Sequence, residues 1–123
     1  VLAVDEVKRF VALGGSTIAE TPSVGIARSP TSLALISRMS GVTIVMRSGS
    51  YIASSQPAYV SYKIEHDIAD EIISDIIYGV EDTGVKSGFI GKIGCSWPLT
   101  PDEKKVLRAS AIAQKKTGAS III

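Results

Sequence analysis

The sequence predicts an α/β fold with parallel strands: either about half of an eight-fold (β/α) barrel or a small doubly wound sheet. Three observations predict it. Short apolar runs alternate with amphipathic stretches in the order α-β-α-β-α-β-α-β, and strands separated by helices pair in parallel through crossovers. Hydrophobic residues make up 46% of the 123 positions and charged residues only 20%, which suits helices packed on a buried sheet. No Gly-x-Gly-x-x-Gly and no P-loop follows any of the strands, which lowers the nucleotide-binding version of the open sheet.

Each element has its own warrant. Residues 3–12 place Val4, Val7, Phe10 and Val11 at helical spacing, with Asp5, Glu6, Lys8 and Arg9 on the other side. Gly14-Gly15 ends that helix. Residues 16–21 are a candidate strand with Glu20 near its end, and 22–29 are a loop. Ser29-Pro30 is an N-cap and first-turn pair. It opens a helix expected to turn Leu33, Leu35, Ile36 and Met39 inward, closed by Gly41. Residues 42–46, Val-Thr-Ile-Val-Met, are the clearest strand. A loop rich in Ser, Gly and Tyr is expected from Arg47 to about Tyr62.

A helix over about 64–80 carries Ile68, Ile72, Ile73, Ile76 and Ile77 as one stripe, with Asp67, Asp70, Glu71 and Asp75 largely outside it. Asp82-Thr83-Gly84 is a turn. Residues 88–100 then read as a short buried strand, a tight loop and a helix start. Thr100 and Glu103 form a capping box with Pro101 at the first helical position. Val106, Leu107, Ser110 and Ala113 mark the inner face of the helix that Gly118 ends. Residues 119–123 read as a further strand.

Composition closes several possibilities. The chain suffices for one domain, taken as residues 1–123. A net charge of +1 gives no argument for nucleic acid or an anionic membrane surface. No apolar run approaches the roughly 18–20 residues of a membrane span, and no signal peptide is visible at the start. One cysteine, Cys95, excludes an internal disulfide framework and fits a reducing compartment, hence a cytoplasmic location. With one His and one Cys, no His/Cys metal cluster can form within a single chain. The chain opens inside a helix and stops in a strand, so it is expected to be a fragment.

Lys92 stands out. It is a charge set beside Phe89, Ile90 and Ile93, where a parallel strand ends. A lysine within a core strand is costly unless paired, shifted in pKa or modified, and strand ends carry the chemistry of α/β barrels. The plainer reading is a side chain that leans out into solvent.

The words around Lys92 are specific. Residues 88–100, Gly-Phe-Ile-Gly-Lys-Ile-Gly-Cys-Ser-Trp-Pro-Leu-Thr, with Glu103-Lys104-Lys105-Val106-Leu107-Arg108-Ala109, resemble the phosphotriesterase-related proteins of the amidohydrolase superfamily. Gly14-Gly15-Ser16-Thr17-Ile18 through Gly25-Ile26-Ala27-Arg28 resembles that family's second strand and loop. Gly41-Val42-Thr43-Ile44-Val45-Met46 with Gly49, Tyr51 and Pro57 resembles its third. The resemblance covers essentially the whole chain and places it at about strands two to five of a (β/α)8 TIM barrel.

It implies a hydrolase of esters, phosphoesters, lactones or amides, with two divalent metals, expected to be zinc, that activate a hydroxide. One carboxylate bridges the metals from the end of strand four, a glutamate in one branch and a carbamylated lysine in another. Lys92 falls on that position; unmodified it is a cation that would repel metals, and carbamylation needs a neutral amine, which burial favours. The family's remaining ligands have no counterpart here, so no residue of the 123 is assigned a catalytic role and these residues alone are expected to be inactive. Arg47 stands where the family usually has a small residue, and Ser50 where it usually has an aromatic one.

Glu20, Tyr51 and Trp97 are the candidate pocket residues for a small-molecule substrate. Each has a plainer alternative: Glu20 as a structural carboxylate pairing with a backbone amide or Arg28, Tyr51 as rim packing, Trp97 as a loop anchor. Cys95 beside Ser96 is read as a buried small residue rather than a nucleophile, and His66 as a surface residue. Two other functions stay open: a non-catalytic relative that binds a small molecule or a partner, and a half-barrel that self-associates through open sheet edges.

Overall fold

The alternation of helix and strand holds along the chain. The computed structural model describes residues 2–20, 29–49 and 58–123. In order these form α1 (Leu2–Ala12), β1 (Thr17–Glu20), α2 (Pro30–Ser40), β2 (Thr43–Ser48), a short 3-10 helix (Ala58–Ser61), α3 (Glu65–Ile77), β3 (Phe89–Ile90) and α4 (Pro101–Thr117). The strands form one parallel sheet in the order β1-β2-β3. Thr17 lies opposite Thr43 and Glu20 opposite Met46; Arg47 lies opposite Phe89 and Ser48 opposite Ile90. The last segment adds a parallel bridge between Ile90 and Ile121, as the strand expected at 119–123 requires.

The two faces of the sheet differ. Side chains alternate along a strand. Ile44 and Met46 meet Leu33, Ala34, Ser37 and Arg38 of α2 around a cleft of about 300 Å³, and Ser48 bonds Asp75 of α3. Ile44, Met46 and Ser48 therefore face the helices. Thr43, Val45 and Arg47 face the other way. Val45 backs onto Gly88, where a Cβ would meet its Cγ1 at 2.3 Å.

The main core lies between β3, α3 and α4. Ile68, Ala69 and Ile72 of α3 pack with Val106, Ala109 and Ala113 of α4, with Val60, Ile90 and Ile93 completing the cluster. Alanines on α4 let the two helices approach closely, which is why its inner face looks modest in sequence. The helix ends follow local chemistry. Thr100 and Glu103 make both halves of the capping box. α2 starts at Ser29, whose hydroxyl bonds Ser32 Oγ at 2.8 Å instead of a backbone N–H.

Several sequence expectations are corrected. Leu35 and Met39 are exposed, at 53% and 52%. They sit four apart on one side of α2, while Leu33, Ile36, Ser37 and Ser40 share the side toward the sheet. β2 runs on through Ser48, so Arg47 belongs to a strand and not to the loop. α3 stops at Ile77 because Gly79 takes φ 110°, where a Cβ would meet the backbone of Gly84 at 2.7 Å. Asp75 is half-buried rather than outside the packed face, since its carboxylate accepts a hydrogen bond from Ser48. Cys95 is exposed, not buried. It lies beyond the end of β3, where Ile93 turns into the core in its place.

Candidate functional site

All three strands end on one edge, at Glu20, Ser48 and Ile90, and that C-terminal edge is where a parallel α/β layer presents chemistry. The edge is fastened from both sides. Ser48 O accepts from Gly91 N–H at 2.7 Å, Arg47 O accepts from the Ser87 hydroxyl at 3.1 Å, and Ile93 N–H reaches Ile122 O at 2.8 Å. Gly49 packs so closely on Ile93 that a Cβ would meet its Cδ1 at 2.9 Å. Gly91 has φ 115°, and a Cβ there would meet Ile122 O at 2.2 Å. That turn ends the β3 ladder and carries the chain into Lys92.

Lys92 is exposed. The sequence suggests a sequestered amine; the structure puts it one residue past the turn, out of the core that Ile90 and Ile93 occupy. Arg47 is half-buried on the face away from the helices, and its Nη1 donates to Gly49 O at 2.8 Å. Glu20 is half-buried at the end of β1. Its register with Met46 puts it on the helix-bearing face rather than on Arg47's face. Trp97 is 97% exposed in the loop between β3 and α4, so it anchors nothing among the described residues. Tyr51 and Ser50 lie outside the described residues, as do Arg28 and Pro57. His66 is exposed in the first turn of α3.

One group that holds this edge is only half legible in sequence. Glu103 is fully buried. Its Oε1 accepts from Thr100 N–H at 2.9 Å. Its Oε2 accepts from both Ser96 N–H at 2.8 Å and the Ser96 hydroxyl at 2.9 Å. The carboxylate thus clamps the β3–α4 loop onto the start of α4. The Thr100 backbone bond is the largest cause that lowers its pKa from 4.5 to about 2; burial opposes this, and the Ser96 bonds add to the lowering. The capping box announced the Thr100 bond. Nothing in the spacing announced Ser96.

The metal expectation can be tested against the donors present. Among the described residues no group of three or more His, Cys, Asp or Glu could hold a metal ion. The described residues therefore do not by themselves make a metal centre.

Comparison with known proteins fits the same architecture. The model of the phosphotriesterase family matches residues 1–123. An N-acetyltaurine hydrolase of Dictyostelium discoideum is 43% identical over 122 residues, covering 99% of this chain and 33% of the relative. A phosphotriesterase-related protein of Nematostella vectensis is 42% identical over 118 residues, covering 96% of this chain and 34% of the relative. Among solved structures, a resiniferatoxin-binding protein from Rhodobacter sphaeroides aligns with a TM-score of 0.90 at 43% identity, over 96% of this chain and 33% of that one. A phosphotriesterase homology protein from Escherichia coli, complexed with phosphate in its active site, aligns with a TM-score of 0.91 at 28% identity, over 96% of this chain and 41% of that one. The chain spans about a third of the length of the curated relatives it matches.

Proposed function

The chain belongs to the phosphotriesterase family, and on that premise we propose that it is part of a hydrolase. Its fold is a partial (β/α)8 barrel. The bond cleaved is an ester, phosphoester, lactone or amide. The names of its relatives make the amide of N-acetyltaurine the first substrate to try.

The observation that carries the reading is the position of Lys92, directly after β3 on the C-terminal edge of a parallel sheet whose sequence matches the family throughout. As an ammonium it would repel a cation. Carbamylated, it becomes an anionic ligand with two oxygens, able to bridge two divalent ions, zinc in this proposal. The carbamate forms from the neutral amine and carbon dioxide, and burial favours the neutral form; among the described residues Lys92 is exposed, which weighs against this route. Metal ions held there would polarise the scissile group and lower the pKa of a bound water. The other ligands would come from residues beyond this chain. Trp97, exposed in the adjacent loop, and Tyr51 are proposed to line the pocket. Glu20 would reach it only by turning away from the helix-bearing face. The single cysteine supports a cytoplasmic location, and no helix among the described residues is long and apolar enough to cross a membrane.

The test uses the full-length protein, stripped of metal and reloaded with zinc with and without bicarbonate. Bicarbonate-dependent metal uptake is expected, with a mass gain of one carbon dioxide on the Lys92 peptide. Lys92→Glu should take up metal without bicarbonate, and Lys92→Ala should lose both metal and hydrolysis. Metal uptake unchanged in Lys92→Ala would remove the bridging role.

A second reading is a relative that binds a small molecule without cleaving it. A solved relative named for binding and the arginine at position 47 favour it. Full-length protein with no metal, no added mass and no hydrolysis would support it.

A further inference from the structure

We propose that the cleft between α2 and β2 is a second binding site, for a small organic anion with an apolar tail, a medium-chain carboxylate. The proposal does not depend on the hydrolase reading.

The cleft holds about 300 Å³, at the lower end of the range for ligand pockets. It lies on the helix-bearing, outer side of the sheet, while Val45 and Arg47 take the inner face of the partial barrel. Ile44 and Met46 form its floor, α2 one wall, and Val85 with Lys86 the other. Described chain therefore bounds it on both sides, away from the open edge of β1. The helices pair α1 with α2 and α3 with α4, and the cleft lies where α2 and α3 do not close on each other.

Its chemistry is sorted along its length. Leu33, Ile44, Met46 and Val85 supply apolar surface. Arg38 and Lys86 stand on opposite walls, and none of the described lining residues is acidic. The two cations share one end. The Ser37 hydroxyl donates to Val42 O at 2.6 Å, which sets the Arg38 end of α2 beside the start of β2. Gly88 N–H donates to Met46 O at 2.8 Å, so Lys86, two residues earlier, lies back toward the same end. Leu33, more than a helical turn before Arg38, lies toward the other end.

Both cations are available. Arg38 Nε donates to Ala34 O at 3.3 Å, which folds the side chain along α2 and leaves its terminal nitrogens. Neither Arg38 nor Lys86 makes an ion pair among the described residues. Glu81 and Asp82, in the turn before Val85, are exposed and lie outside the lining. A carboxylate seated between Arg38 and Lys86 gains charge-assisted hydrogen bonds, and its chain covers the apolar floor.

The experiment takes the full-length protein and two probes with the same apolar chain, octanoate (anionic) and octan-1-ol (neutral), with affinity read by calorimetry. Wild type should bind octanoate saturably, prefer it to octan-1-ol, and lose part of that preference in salt. Arg38→Gln combined with Lys86→Gln should lose on the order of 10-fold for octanoate and leave octan-1-ol unchanged. Ala34→Trp, which fills the cleft, should abolish octanoate binding. Should Ala34→Trp not fold, Lys86→Glu replaces it at an exposed position and should weaken octanoate more than Lys86→Gln does. No saturable octanoate binding by about 10 mM, equal affinity for both probes, or unchanged octanoate affinity in the double variant would overturn the proposal. So would displacement of octanoate by N-acetyltaurine, which would put the anion at the C-terminal edge instead. Octanoate binding to a full-length protein that hydrolyses nothing would sink the hydrolase reading and leave this site standing.

Discussion

Glu103 shows how much a single buried carboxylate can organise. It accepts three hydrogen bonds from two residues in the loop ahead of its helix, so the loop between Lys92 and Thr100 is fixed at its far end by one side chain. Its pKa is depressed, from 4.5 to about 2. The stability it contributes is therefore complete above pH 4.5 and is lost as the pH falls from there toward 2. Urea unfolding of wild type followed across that window should show a falling midpoint. In Glu103→Gln the midpoint should be lower at pH 7 and should fall less steeply over the same window. An identical slope in both proteins would mean that other carboxylates set the acid limit. Lys92, eleven positions earlier, is the contrasting case: its identity suggested burial, and a glycine turn next to it decided exposure.

At the scale of elements, α4 is the best supported by its own sequence. It has a complete capping box, a proline in the first turn, Asp102 and Glu103 near its N-terminus and Lys115 and Lys116 near its C-terminus, each favourable to the helix dipole. Thr100→Ala should cost about 1 kcal/mol, read as a shift of the urea midpoint, with Thr100→Ser nearly neutral. The strand β3 is the opposite. Two residues of ladder, Phe89 and Ile90, would be negligible alone. It persists because both neighbours hold it: Gly88 N–H on Met46 O, Gly91 N–H on Ser48 O, and Ile90 bonded to Ser120 and Ile122. The helix α2 shows where periodicity misleads. An apolar residue at every third or fourth position admits more than one face, and the sheet chose the one with Leu33 and Ile36.

At the scale of the molecule, Ile90 joins the sheet to both major helices. It is fully buried, bridges to Ile121 and lies in the cluster with Ile68, Ile72 and Val106. Ile90→Ala should destabilise by about 2–5 kcal/mol, with Ile90→Val nearer 1 kcal/mol. Equilibrium unfolding of the two variants would check this, and a loss below that of an exposed isoleucine such as Ile123 would place the core elsewhere. The half-barrel geometry also leaves apolar side chains outside this core, among them Leu13 and Leu35. We propose that a polypeptide of these 123 residues alone self-associates, as the open edge of β1 and these side chains favour.

The order of the elements, the start and end of α4, the close of α2 at Gly41 and the family are all written in the chain, because each depends on residues within a turn or two of one another or on a contiguous word. The sides that Glu20, Leu35 and Met39 face, the exposure of Lys92 and Cys95, the bond of Ser48 to Asp75 and the placement of Arg47 on the inner face are not. They are set by strand register and by the packing of segments far apart in sequence, and no local preference encodes which of two alternating faces will meet a helix.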